Sequence, residues 1–527
     1  MTIRSMTRSE GFTSLEDSFD VLVIGGGATG LGIALDAVTR GFRTALVEAG
    51  DFAQATSSRA TKLAHGGVRY LASGQLHLVY EALHERAVMM RNAPHLVHAQ
   101  PFLLPTYTRL ALPYYGAGLM VYDLMSGKAS MGSTRILGRK AALERIPTLE
   151  SKGLSGGVLY YDGQFNDARL ALALARTAAD RGATMLNYSR CVRMLQDGSK
   201  LIGAVVADVE TGKEYLVRAS VIFNAAGIFV DSVRALDEPE SKPLLRVSRG
   251  SHIVVGQEAL AGNTGIMVPK TKDGRVIFAI PWQGRVVIGT TDVAAPKPVM
   301  EPGHDGDEIG FLLETIRPYL SKPIEMSDIL SVFSGLRPLV SGGAAETSKL
   351  SREHHIEASP HGLITVAGGK WTTYRRMAED AIDFASKRGM LAKRPCVSST
   401  VSLRGACTAA IDGDPYLREY GSDATTINAS ILEDASLGKL IDPALPYTFA
   451  EVRYAVRSEM ARTVEDVLSR RTRALLLDSA AAARAARAVA SLMAAELGRD
   501  ETWITEQVSS FRALQSQNYS LVSKLEN

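Results

Sequence analysis

Residues 21–48 read VLVIGGGATGLGIALDAVTRGFRTALVE, and this stretch decides the fold. The apolar run Val21-Leu22-Val23-Ile24 stops at Gly25 and opens a G-x-G-x-x-G turn at Gly25, Gly27 and Gly30. A helical pattern follows, then a β-rich run from Thr44 to Val47 closed by Glu48. The order is strand, tight turn, helix, strand, acid. Each glycine has its own physical role: the first makes a sharp turn, the second leaves bare backbone where a pyrophosphate approaches, and the third lets helix pack closely on strand. The helix start turns free N–H groups and the positive end of its dipole toward the phosphates. An acid about 20 residues beyond the glycines can accept hydrogen bonds from ribose hydroxyls. The stretch predicts a Rossmann-like nucleotide site without separating a flavin from a nicotinamide.

Working outward, the pattern alternates between elements of that sheet and something else. Leu76–Met90 has helical spacing and stops before Pro94, and proline and aromatic residues then crowd residues 101–115. Asp167–Ala183 reads as a helix closed by Gly182. Leu201–Val209 and Glu214–Val217 read as strands joined by a turn at Thr211-Gly212, and Val221–Phe223 as a separate strand running into Asn224-Ala225-Ala226-Gly227. Residues 249–292 are rich in short strands bounded by Gly, Pro or Asp, as in an antiparallel sheet. Leu363–Ala367 runs into Gly368-Gly369-Lys370 and a helix start, so the nucleotide domain is expected to be discontinuous. The reading is an α/β chain: a nucleotide domain over 18–92, 155–245 and 330–392, and a mainly antiparallel substrate domain over 93–154 and 246–329. An all-α C-terminal domain over 393–527 completes it, with helices at Val452–Leu475 and Ser479–Leu497 and a loose end after Ser509.

Composition excludes several classes. A chain of 527 residues needs more than one core. A hydrophobic content of 46% fits a globular protein, and a net charge of +3 makes no case for nucleic-acid binding. Cys191, Cys396 and Cys407 lack metal spacing and fit a reducing compartment, and no metal site is expected. The N-terminus has no signal-like apolar core and reads as a short flexible lead-in. No run is long and apolar enough to span a bilayer; Leu110–Met125 comes nearest and reads as a buried helix.

Five segments carry candidate chemistry. The first, Thr56–Leu71, is TSSRATKLAHGGVRYL, with Thr56, Ser57 and Ser58, the bases Arg59, Lys62 and Arg69, His65 as an acid or base, and Gly66-Gly67 where backbone can pass close to a flat ligand. The second is GSHIVV, where His252 leads a strand; the third is GRVVIGTTD, ending at Asp292. The fourth is SGLRPL, where Arg337 in an apolar setting calls for an anion, either a substrate or a structural carboxylate. The fifth is AGGKWTTYRRMAEDA, with Gly369, Lys370 and Thr372 at another anion-facing helix start.

In this order the segments resemble the FAD-dependent glycerol-3-phosphate dehydrogenase family, and the likeness extends to VRSEMARTVEDVLSRRTR near the C-terminus. GGKWTTYRRMA is close to a family signature; HGGVRYL and SGLRPL are nearly as diagnostic. Two departures are Leu31, where the family usually has a small residue, and the NAAGIF turn, where it commonly has Gly-Pro-Trp. The resemblance implies non-covalent FAD, with Gly25, Gly27, Gly30, Glu48, Thr56, Ser57, Ser58, Lys62, His65, Gly66, Gly67, Gly227, Gly369 and Lys370 around it. It implies sn-glycerol 3-phosphate as substrate, dihydroxyacetone phosphate as product and a membrane quinone as electron acceptor. Arg69, His252, Arg337, Lys370 and Thr372 are then the candidate substrate contacts. His65, or His252 in its place, would take the C2 proton, with Arg337 and Lys370 stabilising charge. Quinone reduction implies peripheral attachment to an anionic lipid surface on the cytoplasmic side, through Leu110–Met125 or the Arg-rich C-terminal helices; a homodimer is left open. Three rival readings are an oxidase that passes electrons to O₂, another amine- or hydroxy-acid-oxidising flavoenzyme, and a non-catalytic flavin sensor.

Overall fold

The computed structural model describes residues 8–67, 74–108, 110–269, 271, 274–341, 354–407 and 415–521. Two sheets organise them. In the first, five parallel strands lie in the order Thr184–Leu186, Thr44–Val47, Ser18–Ile24, Glu214–Asn224 and Leu363–Gly368. The antiparallel strand His354–Ala358 closes one edge. The central strand Ser18–Ile24 is buried on both faces, which is why it reads as an unbroken apolar run. The helices Ala28–Thr39, Asp167–Asp180 and Tyr374–Lys387 pack together, burying Leu31, Ile33, Leu170, Leu174, Met377 and Ala378 in one core. The last parallel strand does arrive late in the chain, at Leu363. Glu214–Asn224, which the sequence pattern divides into two strands, is one: its first half pairs with Lys200–Asp208 and its second half enters the parallel sheet.

The second sheet has ten strands and is antiparallel except where Gly265–Val268 lies parallel to Val97–Thr106. Gly156–Phe165 pairs along its full length with Val97–Thr106, and Ile329–Val340 with Leu245–Gly256. The sequence pattern assigns both to the nucleotide domain, along with Leu63–Ala64, which also joins this second sheet. Buried alternation on a strand does not reveal which of two sheets it joins; the partner does.

Three further expectations change. Residues 8–14 form a helix rather than a loose lead-in: Phe12 is buried and stacks on Tyr215, and Arg8 pairs with Asp208. Val452–Leu475 is not one helix. Phe449–Ser458 is helical, a π-turn spans Asp466–Arg471 and a short helix spans Ala474–Leu477, with Met460 and Arg473 at positive φ between them. The apolar positions recur with helical spacing because most of them are buried and the rest pack partly buried against the core, not because one helix carries them. The end of the chain is anchored: Glu501–Asn518 is a helix whose Val508 and Phe511 are buried, and the Tyr519 carbonyl accepts from the Val332 N–H at 3.2 Å.

Candidate active site

The carboxyl ends of the parallel strands gather three turns. Ile24 leads into Gly25 at φ 114°, Asn224 into Ala225-Ala226-Gly227, and Leu363–Gly368 into Gly369. A Cβ on Gly25 would sit 2.5 Å from the Ala225 carbonyl oxygen, so the first two turns touch backbone to backbone. A Cβ on Gly30 would lie 3.0 Å from the Gly25 carbonyl carbon, which is the helix-on-strand contact expected of the third glycine. Gly227 has φ 58° and open space around it, whereas a Cβ on Gly369 would strike Met377.

The helix Ala28–Thr39 begins at Gly27 with no side-chain cap from that residue and no acid in its first turn. The Ser57 hydroxyl accepts from Ala28 N–H at 2.9 Å. A positive helix end with bare backbone fits a pyrophosphate. The Glu48 carboxylate accepts from Gly26 N–H at 2.6 Å and Gly50 N–H at 2.8 Å. Burial raises its pKa, and these two N–H groups oppose the rise. Two accepted bonds leave lone pairs for ribose hydroxyls.

The five segments interlock around these turns. Trp371 Nε1 donates to the Ser57 carbonyl at 2.8 Å, and the Thr372 hydroxyl reaches the His65 carbonyl at 3.5 Å, which ties the fifth segment to the first. The Thr56 hydroxyl donates to the Leu336 carbonyl at 2.7 Å, one residue from Arg337. Arg337 lies opposite Ser248 across the strand pair and turns its guanidinium to the third segment: 3.1 Å to Asp292 Oδ1, and 3.0 Å to the Thr290 hydroxyl and the Thr291 carbonyl. Gly250 makes the room, since a Cβ there would lie 2.6 Å from the Thr290 hydroxyl and strike Arg337 itself. Lys370 is half-buried on its turn, and His65 is half-buried on the facing loop. Arg69 lies outside the described residues.

Several expected contacts turn inward instead. His252 is 2% exposed, stacks on Phe333 at 4.6 Å and exchanges a hydrogen bond with the Thr61 hydroxyl at 2.9 Å. Burial, then the charges of Lys62 and Arg337, push its pKa well below that of a free imidazole. The ring is therefore neutral and covered by protein in this structure. Lys62 is fully buried, with its ammonium 2.7 Å from Asp167 and 3.0 Å from the Ser58 carbonyl, above the rings of Phe333 and Trp282. Burial and nearby Arg473 push it down to about 7 against the pull of Asp167. Thr372 and Ser58 are buried too, and the Ser58 hydroxyl is spent on the Ala55 carbonyl. These side chains brace the loop from behind.

What the sequence missed is the anchoring of that loop by the C-terminal region. Arg471 grips both Asp51 carboxylate oxygens, Arg470 donates to one of them, and Arg473 reaches the Ser58 carbonyl and Asp167. Burial would raise the Asp51 pKa; Arg471 and Arg470 bring it down to about 2. The only sequence signal is three arginines within an otherwise apolar stretch. The expectation of a membrane-facing basic surface fails for them, because they are buried. The arginines of the helix Ser479–Leu497 are also paired, Arg484 with Asp442 and Arg487 with Glu501.

Parallel strands with a phosphate-binding turn, closed over by a largely antiparallel sheet, define a nucleotide-dependent oxidoreductase, and the family model for FAD dependent oxidoreductases matches residues 20–375. A second model, the C-terminal domain of alpha-glycerophosphate oxidase, matches residues 396–503. The chain is 42% identical to a mitochondrial glycerol-3-phosphate dehydrogenase of Arabidopsis thaliana over 91% of its length and 83% of the relative. The human mitochondrial enzyme is likewise 42% identical, over 94% of this chain and 72% of its own. A solved glycerol-3-phosphate dehydrogenase of Bacillus halodurans, complexed with FAD, superposes with a TM-score of 0.80 at 29% identity, covering 98% of both chains. The chain belongs to the FAD-dependent glycerol-3-phosphate dehydrogenase family, and its cofactor is FAD.

Proposed function

We propose that the chain oxidises sn-glycerol 3-phosphate to dihydroxyacetone phosphate. Bound FAD supplies the hydride acceptor. The substrate brings a phosphate dianion and a C2 hydroxyl that must lose a proton as its hydride leaves. His65, the histidine on the loop beside the Gly25 turn, takes that proton. Arg69, Arg337 and Lys370 share the phosphate and the C2 oxygen, the planar Arg337 fork suiting a phosphate edge. The observation that carries the reading is the convergence of the His65, Arg337 and Lys370 segments, distant in sequence, at the carboxyl edge of the parallel sheet. Anaerobic mixing with glycerol 3-phosphate should bleach the flavin absorbance within seconds. A flavin that stays oxidised would refute the activity.

Electrons are proposed to pass to a membrane quinone at the inner face of the cell membrane. No helix among the described residues is long and apolar enough to cross a membrane. The helix Ala111–Ser126 supports surface attachment. The sequence reads it as buried, yet its N-terminal flank and outer face expose Leu110, Tyr114, Met120, Val121 and Leu124, with Leu110 87% and Leu124 80% accessible. Exposed Ile136 borders it, and Arg135, Arg139 and Lys140 lie exposed alongside. Apolar side chains rimmed by cations suit an anionic lipid surface. The protein should sediment with anionic vesicles, and quinone reduction should rise in their presence. The match to an oxidase C-terminal domain favours O₂ as a second reading. Stoichiometric hydrogen peroxide with no response to quinone would select it.

A further inference from the structure

Gly66, on the loop beside His65, does not hold its position through backbone partners alone. Its N–H donates to the Tyr122 hydroxyl at 2.8 Å, and that hydroxyl donates to Asp162 Oδ2 at 2.9 Å. The other Asp162 oxygen takes a 2.7 Å hydrogen bond from Arg86. All three side chains are nearly inaccessible, at 2%, 3% and 1%. The Tyr122 ring packs in a small apolar cluster with Val79 and Leu83. A Cβ on Gly66 would lie 2.5 Å from both the Tyr122 oxygen and Leu83 Cδ2, so the loop is seated against this side chain with no slack. Burial and the adjacent Asp162 charge raise the Tyr122 pKa well above that of a free phenol, which keeps the proton on the hydroxyl and the donor direction toward Asp162 fixed. Asp162 lies on the strand Gly156–Phe165, whose Gly163 pairs with Ala64 just before the loop. The second sheet therefore holds the loop at two points, once by strand pairing and once through Tyr122.

We propose that Tyr122 is a positioning residue for the oxidation: its hydroxyl, held by Asp162 and Arg86, fixes the Gly66 backbone and thereby the place of His65. The proposal rests on the reading that the His65 loop serves the reaction. Tyr122→Phe keeps the ring in its apolar cluster and removes only the oxygen, leaving a buried N–H without an acceptor. The test is stopped-flow reduction of the intact FAD-loaded protein by glycerol 3-phosphate, with the limiting rate constant taken per bound flavin. Flavin content and melting temperature are recorded beside it. The expected result is a rate constant lowered about tenfold with at most a twofold change in the half-saturating substrate concentration. A hydroxyl that served stability alone would lower the melting temperature or flavin content and leave the rate per bound flavin unchanged. That result overturns the proposal. His65→Asn is run in parallel. If it is impaired while Tyr122→Phe is not, the loop reading stands and the positioning role falls. If neither variant is impaired, the loop reading falls and takes the proposal with it. Should Tyr122→Phe fail to fold, Asp162→Asn, which loosens the same hydroxyl, is read by the same rate constant and the same criterion.

Discussion

Two alanine substitutions one helical turn apart should separate binding of the cofactor from stability of the fold. Gly27 is the N-cap of the helix Ala28–Thr39, at φ −82° and ψ −178°, extended backbone that alanine adopts readily. Its added Cβ would meet one atom within 4 Å, the Ser57 hydroxyl oxygen at 3.1 Å, which has to give by a few tenths of an ångström. Replacing Gly by Ala at an N-cap costs less than about 1 kcal/mol. The same methyl stands where the pyrophosphate approaches bare backbone, and overpacking there costs about 1–3 kcal/mol. At about 1.4 kcal/mol per tenfold, Gly27→Ala should weaken FAD roughly 5- to 150-fold while the apoprotein melts within a few degrees of the parent. Gly30→Ala should do the reverse. Its Cβ lands on the Gly25 carbonyl and 3.3 Å from Val23 Cγ1, both on the central strand and its turn, so the helix must lift. Stability should fall by more than about 2 kcal/mol, and FAD loss should follow the unfolding. Fluorescence titration of the apoprotein with FAD and thermal unfolding by circular dichroism read the two effects separately. An unchanged FAD affinity in folded Gly27→Ala would refute the assignment of this helix end to the pyrophosphate.

Arg337→Lys keeps the charge but loses the fork that now spans Asp292, Thr290 and Thr291; kcat/KM for glycerol 3-phosphate should fall at least tenfold with little change in melting temperature. If the variant instead unfolds easily and its folded fraction is fully active, Arg337 is a structural partner of Asp292. Arg471→Leu leaves the buried Asp51 with Arg470 as its remaining cationic partner and should cost about 3–5 kcal/mol in urea denaturation; a loss below about 1 kcal/mol would show that the network is not fastening the loop. His95 is buried, and desolvation, then Arg169, push its pKa from 6.5 to about 4. The unfolded chain thus binds the proton more readily between those values. The stability that the neutral ring secures is whole above pH 6.5 and declines as pH falls toward 4, by about 2–3 kcal/mol. His95→Gln should flatten that part of the stability profile, and an unchanged slope would point to other groups. Leu124→Asp should release the protein from anionic vesicles without changing flavin reduction by substrate; full retention on the vesicles would mean that another surface makes the contact.

The sequence by itself determined whatever depends on neighbours along the chain. Gly25, Gly27, Gly30 and Glu48 follow from local geometry, because a turn between a strand and a helix is built from consecutive residues. The same holds for the Gly368-Gly369 turn and for the helix Ser479–Leu497, which stops at Gly498 as its pattern predicts. Family signatures in the five segments supplied cofactor and reaction class. Partnership across the chain belonged to the tertiary structure. Gly156–Phe165 and Ile329–Val340 look like any buried strand until their neighbours are known. Arg470, Arg471 and Arg473 look like a basic surface until Asp51, Asp466 and Asp167 are found against them. Leu110–Met125 looks like core until one of its faces is seen to be exposed. The burial of His252 and Lys62 shows only once Phe333, Thr61 and Asp167 are placed beside them. In each case the deciding quantity was the surroundings of a side chain, which fix its burial and charge balance. Those surroundings come from segments far away in sequence, where local pattern carries no signal.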